Sequence, residues 1–151
     1  MMIRQIFIST VSLIVLVALI PTSHAERSQT EGEFTVHYNA IPTTALNADI
    51  AKRYGITRSG GRALLNISVL RLTSGGTEPR AVPAHVKAFS HALTGQRSEI
   101  PLREIRDQDA IYYIGDFRIR GEEHLRFELE ATPDGSERAI PVRFEQTFIG
   151  D

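Results

Sequence analysis

The stretch Arg103-Glu104-Ile105-Arg106-Asp107-Gln108-Asp109 sets three carboxylates among two guanidiniums and runs directly into Ala110-Ile111-Tyr112-Tyr113-Ile114. Paired carboxylates hydrolyse glycosides when they stand about 5 to 9.5 Å apart across a cleft and one has its pKa raised by burial. That chemistry, a small carboxylate-dependent hydrolase, requires Glu104 and Asp109 to line one concave pocket. On a solvated turn the same groups form exposed ion pairs worth about 0 to 1 kcal/mol each. Loop tips on a rigid β scaffold carry binding residues. Tyr112 and Tyr113 point to opposite faces of any strand, so one joins the core and the other is an aromatic of the kind enriched at recognition surfaces. Glu104, Arg106, Asp107 and Asp109, with Tyr112 or Tyr113, are therefore read as a loop-centred binding patch, and no catalytic residue is assigned.

A second candidate is Arg58-Ser59-Gly60-Gly61-Arg62. Glycines let backbone amides turn toward an anion, and Arg58 and Arg62 offer planar donor forks. No Lys-Ser or Lys-Thr follows and the next element reads as a strand, so this is not a phosphate loop. The bland alternative is a loop with snorkelling arginines. Beyond residue 25 the histidines are His37, His85, His91 and His124. His85 and His91 share strand parity but lie about 20 Å apart at strand rise, so one straight strand cannot bring them to one metal. A histidine-based metal-binding protein is kept as an alternative, with no metal ligand and no cofactor assigned. The only Gly-Ser pair, Gly135-Ser136, lacks the spacing of a nucleophile elbow. Asn66-Ile67-Ser68 matches a glycosylation sequon but falls in the middle of a predicted strand.

The elements that must position these groups are strands. Phe34, Val36 and Tyr38 alternate with Thr35, His37 and Asn39, and Pro42 stops that ladder. Thr43 to Tyr54 changes period: Leu46, Ile50 and Tyr54 fall at i, i+4 and i+8, Thr43, Thr44 and Asn47 are available caps, and Gly55 stands where a left-handed C-terminal residue is wanted. So short a helix must lie on the sheet. Period-two runs follow at Ala63–Leu72, Val82–Leu93, Ser98–Ile105, Ala110–Ile119, His124–Ala131 and Arg138–Ile149, separated by turns such as Ser74–Pro79 and Pro133–Ser136. In the first of these runs Leu65, Ile67 and Val69 share one face, while Leu64, Asn66, Ser68 and Leu70 share the other. Ile100-Pro101-Leu102-Arg103 and Ile140-Pro141-Val142-Arg143 echo each other as strand entries, where proline is tolerated. About seven strands, one short helix and no βαβ rhythm predict an all-β fold, a two-sheet antiparallel sandwich of immunoglobulin-like type, with a small barrel as the alternative.

Upstream, Arg4 precedes an almost unbroken aliphatic run, Ile6 to Ile20, that exits through Pro21, Ser23, His24 and Ala25. A spanning helix needs about 20 apolar residues. The shorter run with a small-residue exit predicts a signal peptide over 1–25, cleavage after Ala25 and export to the periplasm. Residues 26–32 read as a flexible lead-in, and 33–151 as a single domain. No integral membrane segment is expected after cleavage.

Composition narrows the functions further. Of 17 Lys and Arg, Arg4 leaves with the leader, so 16 cations face 18 anions. A balanced, interspersed charge predicts no nucleic-acid partner. The chain contains no cysteine, which excludes disulfides, thiol nucleophiles and thiolate metal sites at once. Stability must come from packing.

Several phrases taken together, Val36-His37-Tyr38-Asn39-Ala40, Ala51 to Gly55 with Arg58-Ser59, Leu65-Asn66-Ile67-Ser68-Val69, and Arg103-Glu104-Ile105 leading to Asp109-Ala110-Ile111-Tyr112-Tyr113, resemble a family of secreted proteobacterial proteins, domain-of-unknown-function family 4426. The resemblance runs from about Glu33 to Phe148. It implies an exported, single-domain protein of a Gram-negative bacterium and assigns no activity. The expected function is a non-catalytic binding or assembly accessory module, acting through loops or an edge strand on another periplasmic or envelope protein.

Overall fold

The computed structural model describes residues 27–73 and 78–150. The expected signal peptide and most of the Ser74–Pro79 turn lie outside the described residues. Among the described residues ten strands form two antiparallel sheets: β1 (Arg27–Glu31), β2 (Phe34–Pro42), β3 (Arg62–Arg71), β4 (Arg80–Ala81), β5 (Ala84–Ala92), β6 (Arg97–Glu99), β7 (Arg103–Asp107), β8 (Ala110–Arg118), β9 (Glu122–Pro133) and β10 (Ile140–Ile149). Sheet A runs β1-β2-β3-β8-β7, with β4 also pairing β3, and sheet B runs β10-β9-β5-β6. This is a two-sheet sandwich, and neither sheet closes into the alternative barrel.

The seven expected runs are all present, and three strands are new. The run Ser98–Ile105 divides: β6 pairs β5 in sheet B, and after Ile100-Pro101-Leu102 the chain enters sheet A as β7. Ile100 still donates to the Ala88 carbonyl at 2.9 Å, so the crossing starts from a residue bonded to sheet B. Gly115 on β8 makes room for the crossing. A Cβ there would stand 2.6 Å from the Pro101 carbonyl oxygen and 2.7 Å from an Ile100 methyl. The lead-in expected to be flexible is instead strand β1, paired residue for residue with β2 from Arg27↔Tyr38 to Glu31↔Phe34. Its side chains are all polar, because pairing at a sheet edge uses the backbone and needs no apolar alternation. β4 is likewise a two-residue edge extension of β3.

Between the sheets the two inner faces meet in an aromatic seam. Phe127 stacks on Phe144 at 4.6 Å, and Phe117 from sheet A sets its edge against Phe127 and Phe148 at 5.5 and 5.6 Å. Val36, Leu65, Ile67, Val69 and Leu129 fill the remaining space and are fully buried. At one side Arg27 reaches from β1 to β10, donating to the Glu145 carbonyl and the Gln146 Oε1 at 3.1 Å each. The Gln146 amide in turn donates to the Thr147 carbonyl at 3.2 Å. Two acceptors along the long edge strand β10 are therefore occupied by side chains, a common way of blunting an edge.

The only α-helix among the described residues, α1 (Ala48–Arg53), lies in the excursion between β2 and β3, after a single 3₁₀ turn at Thr43–Ala45. It is shorter than the expected 43–54. Asn47 is its N-cap, accepting from the Asp49 amide at 2.8 Å. At the other end Gly55 takes a φ of 62°, its N–H reaches the Lys52 carbonyl, and the Ile56 N–H reaches the Ala51 carbonyl. That is the paired bonding of a glycine C-terminal stop.

Candidate binding site

Strand parity decides which predicted site residues meet. On β3 the odd residues Ala63, Leu65, Ile67 and Val69 face the core, so the even ones face outward with their partners on β2 and β8. Leu64, Asn66, Asn39, Ile41, Tyr112 and Ile114 thus share the outer face of sheet A. From β7, Ile105 lies opposite Tyr112 and Asp107 opposite Ala110, which puts both on that face. Glu104 and Arg106, one residue out of phase, belong to the other.

The excursion carrying α1 covers this outer face incompletely. Leu46, Ile50 and Tyr54 turn toward the sheet as the i, i+4, i+8 spacing predicted, and Ile56 follows from the C-terminal stop. Between them and the sheet lies a pocket of about 350 Å³ with an aliphatic floor of Ile41, Leu64, Ile105 and Ile114. Its polar groups are Asn39 and Asn66, which are cross-strand partners, and Tyr54, Asp107 and Tyr112. Pockets that bind small molecules are concave and mostly apolar, with a few placed polar groups.

Polar contacts hold the excursion at both ends. At its base Thr43, fully buried, donates through Oγ1 to the Ser59 carbonyl at 3.0 Å and accepts from the Ser59 amide at 2.9 Å. At its tip the Tyr54 hydroxyl donates to Asp107 Oδ2 at 2.6 Å, and the Arg103 guanidinium donates to the Tyr54 carbonyl. The hydrogen bond to the Asp107 carboxylate raises the Tyr54 hydroxyl above its ordinary pKa, because ionising it would lose that bond and set two negative charges together.

The loop-centred patch is divided by this arrangement. Asp107 and Tyr112 line the pocket. Glu104 accepts from Arg106 Nε at 2.5 Å and from the Tyr113 hydroxyl at 3.2 Å, and the Arg106 guanidinium holds its carboxyl below the usual range. Tyr113 is the core tyrosine: burial pushes its hydroxyl pKa up, and the oxygen accepts from the Ala84 amide of sheet B at 2.7 Å. Asp109 stands at the two-residue hairpin tip beside Gln108, whose φ is 52°. It lines a separate hollow of about 270 Å³ with His37, Ser68 and Tyr112. Glu104 and Asp109 therefore do not share a pocket, and the hydrolase reading loses the geometry it required.

The glycine loop does not form an anion cradle. The amides of Ser59, Gly61 and Arg62 are already taken, by Thr43 Oγ1, Ser59 Oγ and the Ser59 carbonyl. Arg58 donates to the Thr44 carbonyl at 2.9 Å, and Arg62 pairs with Asp116. Both arginines brace the base of the excursion or the neighbouring strand.

The outer face of sheet B is built differently. His91 meets Glu128 at 3.0 Å, and Arg143 approaches the other oxygen of that carboxylate at 3.6 Å. Arg126 and His124 both bond Glu145, at 3.0 and 3.2 Å, which lowers its carboxyl pKa. Arg97 lies over the Phe89 ring at 3.5 Å. Among the described residues no three His, Cys, Asp or Glu side chains stand together as a metal site.

The missed residues are those of the pocket wall: Asn39, Ile41, Leu64, Ile105 and Ile114. Their signal was Leu64 and Leu70 on the second face of β3 and the helical spacing opposite it, which together mark a covered outer face.

No curated protein shows significant sequence similarity to the chain. Among solved structures, a DUF4426 family protein from Pseudomonas aeruginosa PAO1 is 28% identical, with a TM-score of 0.68 over 83% of this chain and 96% of that one. FetP from uropathogenic Escherichia coli strain F11, expressed in the periplasm, shares the fold at 11% identity and a TM-score of 0.59, over 83% of this chain and 95% of that one. A copper-bound variant of P19 from Campylobacter jejuni does so at 10% identity and a TM-score of 0.52, over 83% and 96%. The family described as Domain of unknown function (DUF4426) matches residues 28–151, so the chain belongs to the DUF4426 family.

Proposed function

We propose that this protein is an exported, periplasmic, non-catalytic binding module whose recognition site is the pocket between α1 and the outer face of sheet A. One observation carries the reading: α1 leaves about 350 Å³ over an aliphatic floor and keeps Ile50 37% exposed above it. An apolar recess of this kind is retained at a cost in packing, and binding is the use that offsets that cost. The aliphatic leader sequence and the periplasmic expression of FetP support the location. Among the described residues no helix is long and apolar enough to cross a membrane. The partner is another envelope protein or a small molecule held in that compartment.

The test is in-cell crosslinking from a photoreactive residue at Ile50, followed by purification from the periplasmic fraction. The same residue at Lys87, on sheet B, is the control. A discrete adduct from position 50 alone supports the reading. Equal labelling from both positions, or recovery of the protein only from the cytoplasm, rejects it.

The second reading, a histidine-based metal-binding protein, is favoured by the copper-bound P19 variant of the same fold. Titration with Cu(II) followed by NMR decides it. Saturable paramagnetic broadening centred on His91 or His124 would support it, and no saturable broadening at any histidine would remove it.

A further inference from the structure

Two carboxamides, Asn39 and Asn66, lie opposite each other on the pocket floor. Asn66 Oδ1 is buried and has no hydrogen-bond partner. A buried acceptor left unpaired loses stability that a donor brought by a ligand would restore. The carboxamide torsion is soft, so the oxygen can be turned to meet such a donor. Charge narrows the ligand further. Asp107 is the only charged side chain lining the pocket, and it already accepts from Tyr54. A carboxylate ligand would be repelled by Asp107, and an ammonium could pair with Asp107 only in competition with the Tyr54 hydroxyl that it already holds, with Arg53 and Arg103 near the same tyrosine. Desolvating a charge whose counter-ion is absent or already engaged is unfavourable. The volume, about 350 Å³, corresponds to roughly a dozen non-hydrogen atoms at the ~30 Å³ a water occupies in the liquid.

We infer that the pocket takes an uncharged, largely aliphatic molecule of about that size carrying one amide or hydroxyl donor, which pairs with Asn66. This rests on the binding reading above and names its ligand class.

The experiment is an amide NMR titration of the purified protein with octanamide, N,N-dimethyloctanamide, octanoate and octylammonium. Octanamide is expected to shift the amides of Ile41, Leu64, Asn66 and Ile105 saturably. It should bind about tenfold more tightly than its dimethyl analogue, which has the same chain and no donor. Asn66→Leu is expected to erase that preference while still binding the dimethyl compound, and Ile105→Trp, which fills the pocket, to lose both. Should Asn66→Leu fail to fold, the contrast between the two amides on the unmodified protein decides the matter. Equal binding of the two amides overturns the donor assignment and leaves the pocket reading standing. Tighter binding of octanoate or octylammonium overturns the neutral ligand class. No saturable shift from any of the four overturns this inference, and the same result together with no adduct from position 50 overturns the pocket reading as well.

Discussion

On the outer face of sheet A, Leu64 and Ile114 are 5% and 6% exposed because the excursion between β2 and β3 lies over them. On the outer face of sheet B the corresponding positions are Lys87, Glu128, Glu130 and Arg143, paired across strands and open to water. Antiparallel sheets tolerate either solution: one face in water, or both faces covered. Sheet B satisfies its outer face with a lattice of small electrostatic gains. Sheet A adds a third layer that is only six residues of helix and cannot fill the area it covers. An incomplete layer over an apolar face makes a pocket. The candidate site follows from that shortfall more than from any cluster of polar residues.

The comparison breaks first at Leu64. Leu64→Ala is expected to cost about 2 to 3 kcal/mol in urea unfolding, low in the range for buried leucines because a recess already adjoins it. Glu128→Gln, on the opposite face, should cost no more than about 1 kcal/mol. Equal losses would mean the charge lattice holds the fold as strongly as the covered face does. Next, Asn47→Ala removes the α1 cap and is expected to cost about 1 kcal/mol. It should also speed hydrogen exchange at Ala51 and Tyr54 while leaving β9 and β10 protected.

A smaller effect of opposite sign is expected at the hairpin that presents Asp107 and Tyr112. Gln108 holds a left-handed φ that side chains adopt at a cost, so Gln108→Gly should gain up to about 1 kcal/mol. The last test sharpens the contrast by pH. Arg126 and His124 lower the Glu145 carboxyl pKa in the folded state. Their stabilisation is therefore present above the unfolded glutamate pKa and lost as pH falls through the depressed folded value. Tyr54 is shifted the other way, raised by Asp107, so its contribution is present below the ordinary tyrosine pKa and lost as pH rises through the folded one. Acid should loosen the Glu145 cluster on sheet B's outer face and alkali the tip of the excursion. Side-chain NMR of Glu145 in Arg126→Ala and of Tyr54 in Asp107→Asn would show both values returning toward normal.

Much of this was legible in the sequence. Alternation marked the strands with a buried face, and Leu46, Ile50 and Tyr54 marked the face of α1 that the structure turns to the sheet. β1 was not legible, since Arg27-Ser28-Gln29-Thr30-Glu31 pairs through its backbone and carries no apolar signal. The division of Ser98–Ile105 between sheets was hidden too: Pro101 was visible, but its meaning depends on Gly115, distant in sequence and in contact only after folding. The binding patch misled because residues 103–109 were grouped by proximity along the chain. Parity alone separates Glu104 and Arg106 from Ile105 and Asp107, and it would have sent the two sets to opposite faces. What parity could not show is that a buried Asn66 oxygen faces no partner, which depends on the third layer.

The crossing at Ile100-Pro101-Leu102, pressed against Gly115, joins the edges β6 and β7, while on the opposite side β1 and β10 are joined by no crossing strand and are bridged by Arg27. The sandwich is in this sense a book with a covalent spine and a hydrogen-bonded clasp. Both terminal strands of the described fold sit at the clasp. Tension applied between the chain ends would therefore load that side first, peeling β1 from β2 rung by rung before it reached the aromatic seam or the pocket. A mechanical load on β1 would be taken first by an edge strand that lines no part of the pocket, although its partner β2 carries Asn39 and Ile41.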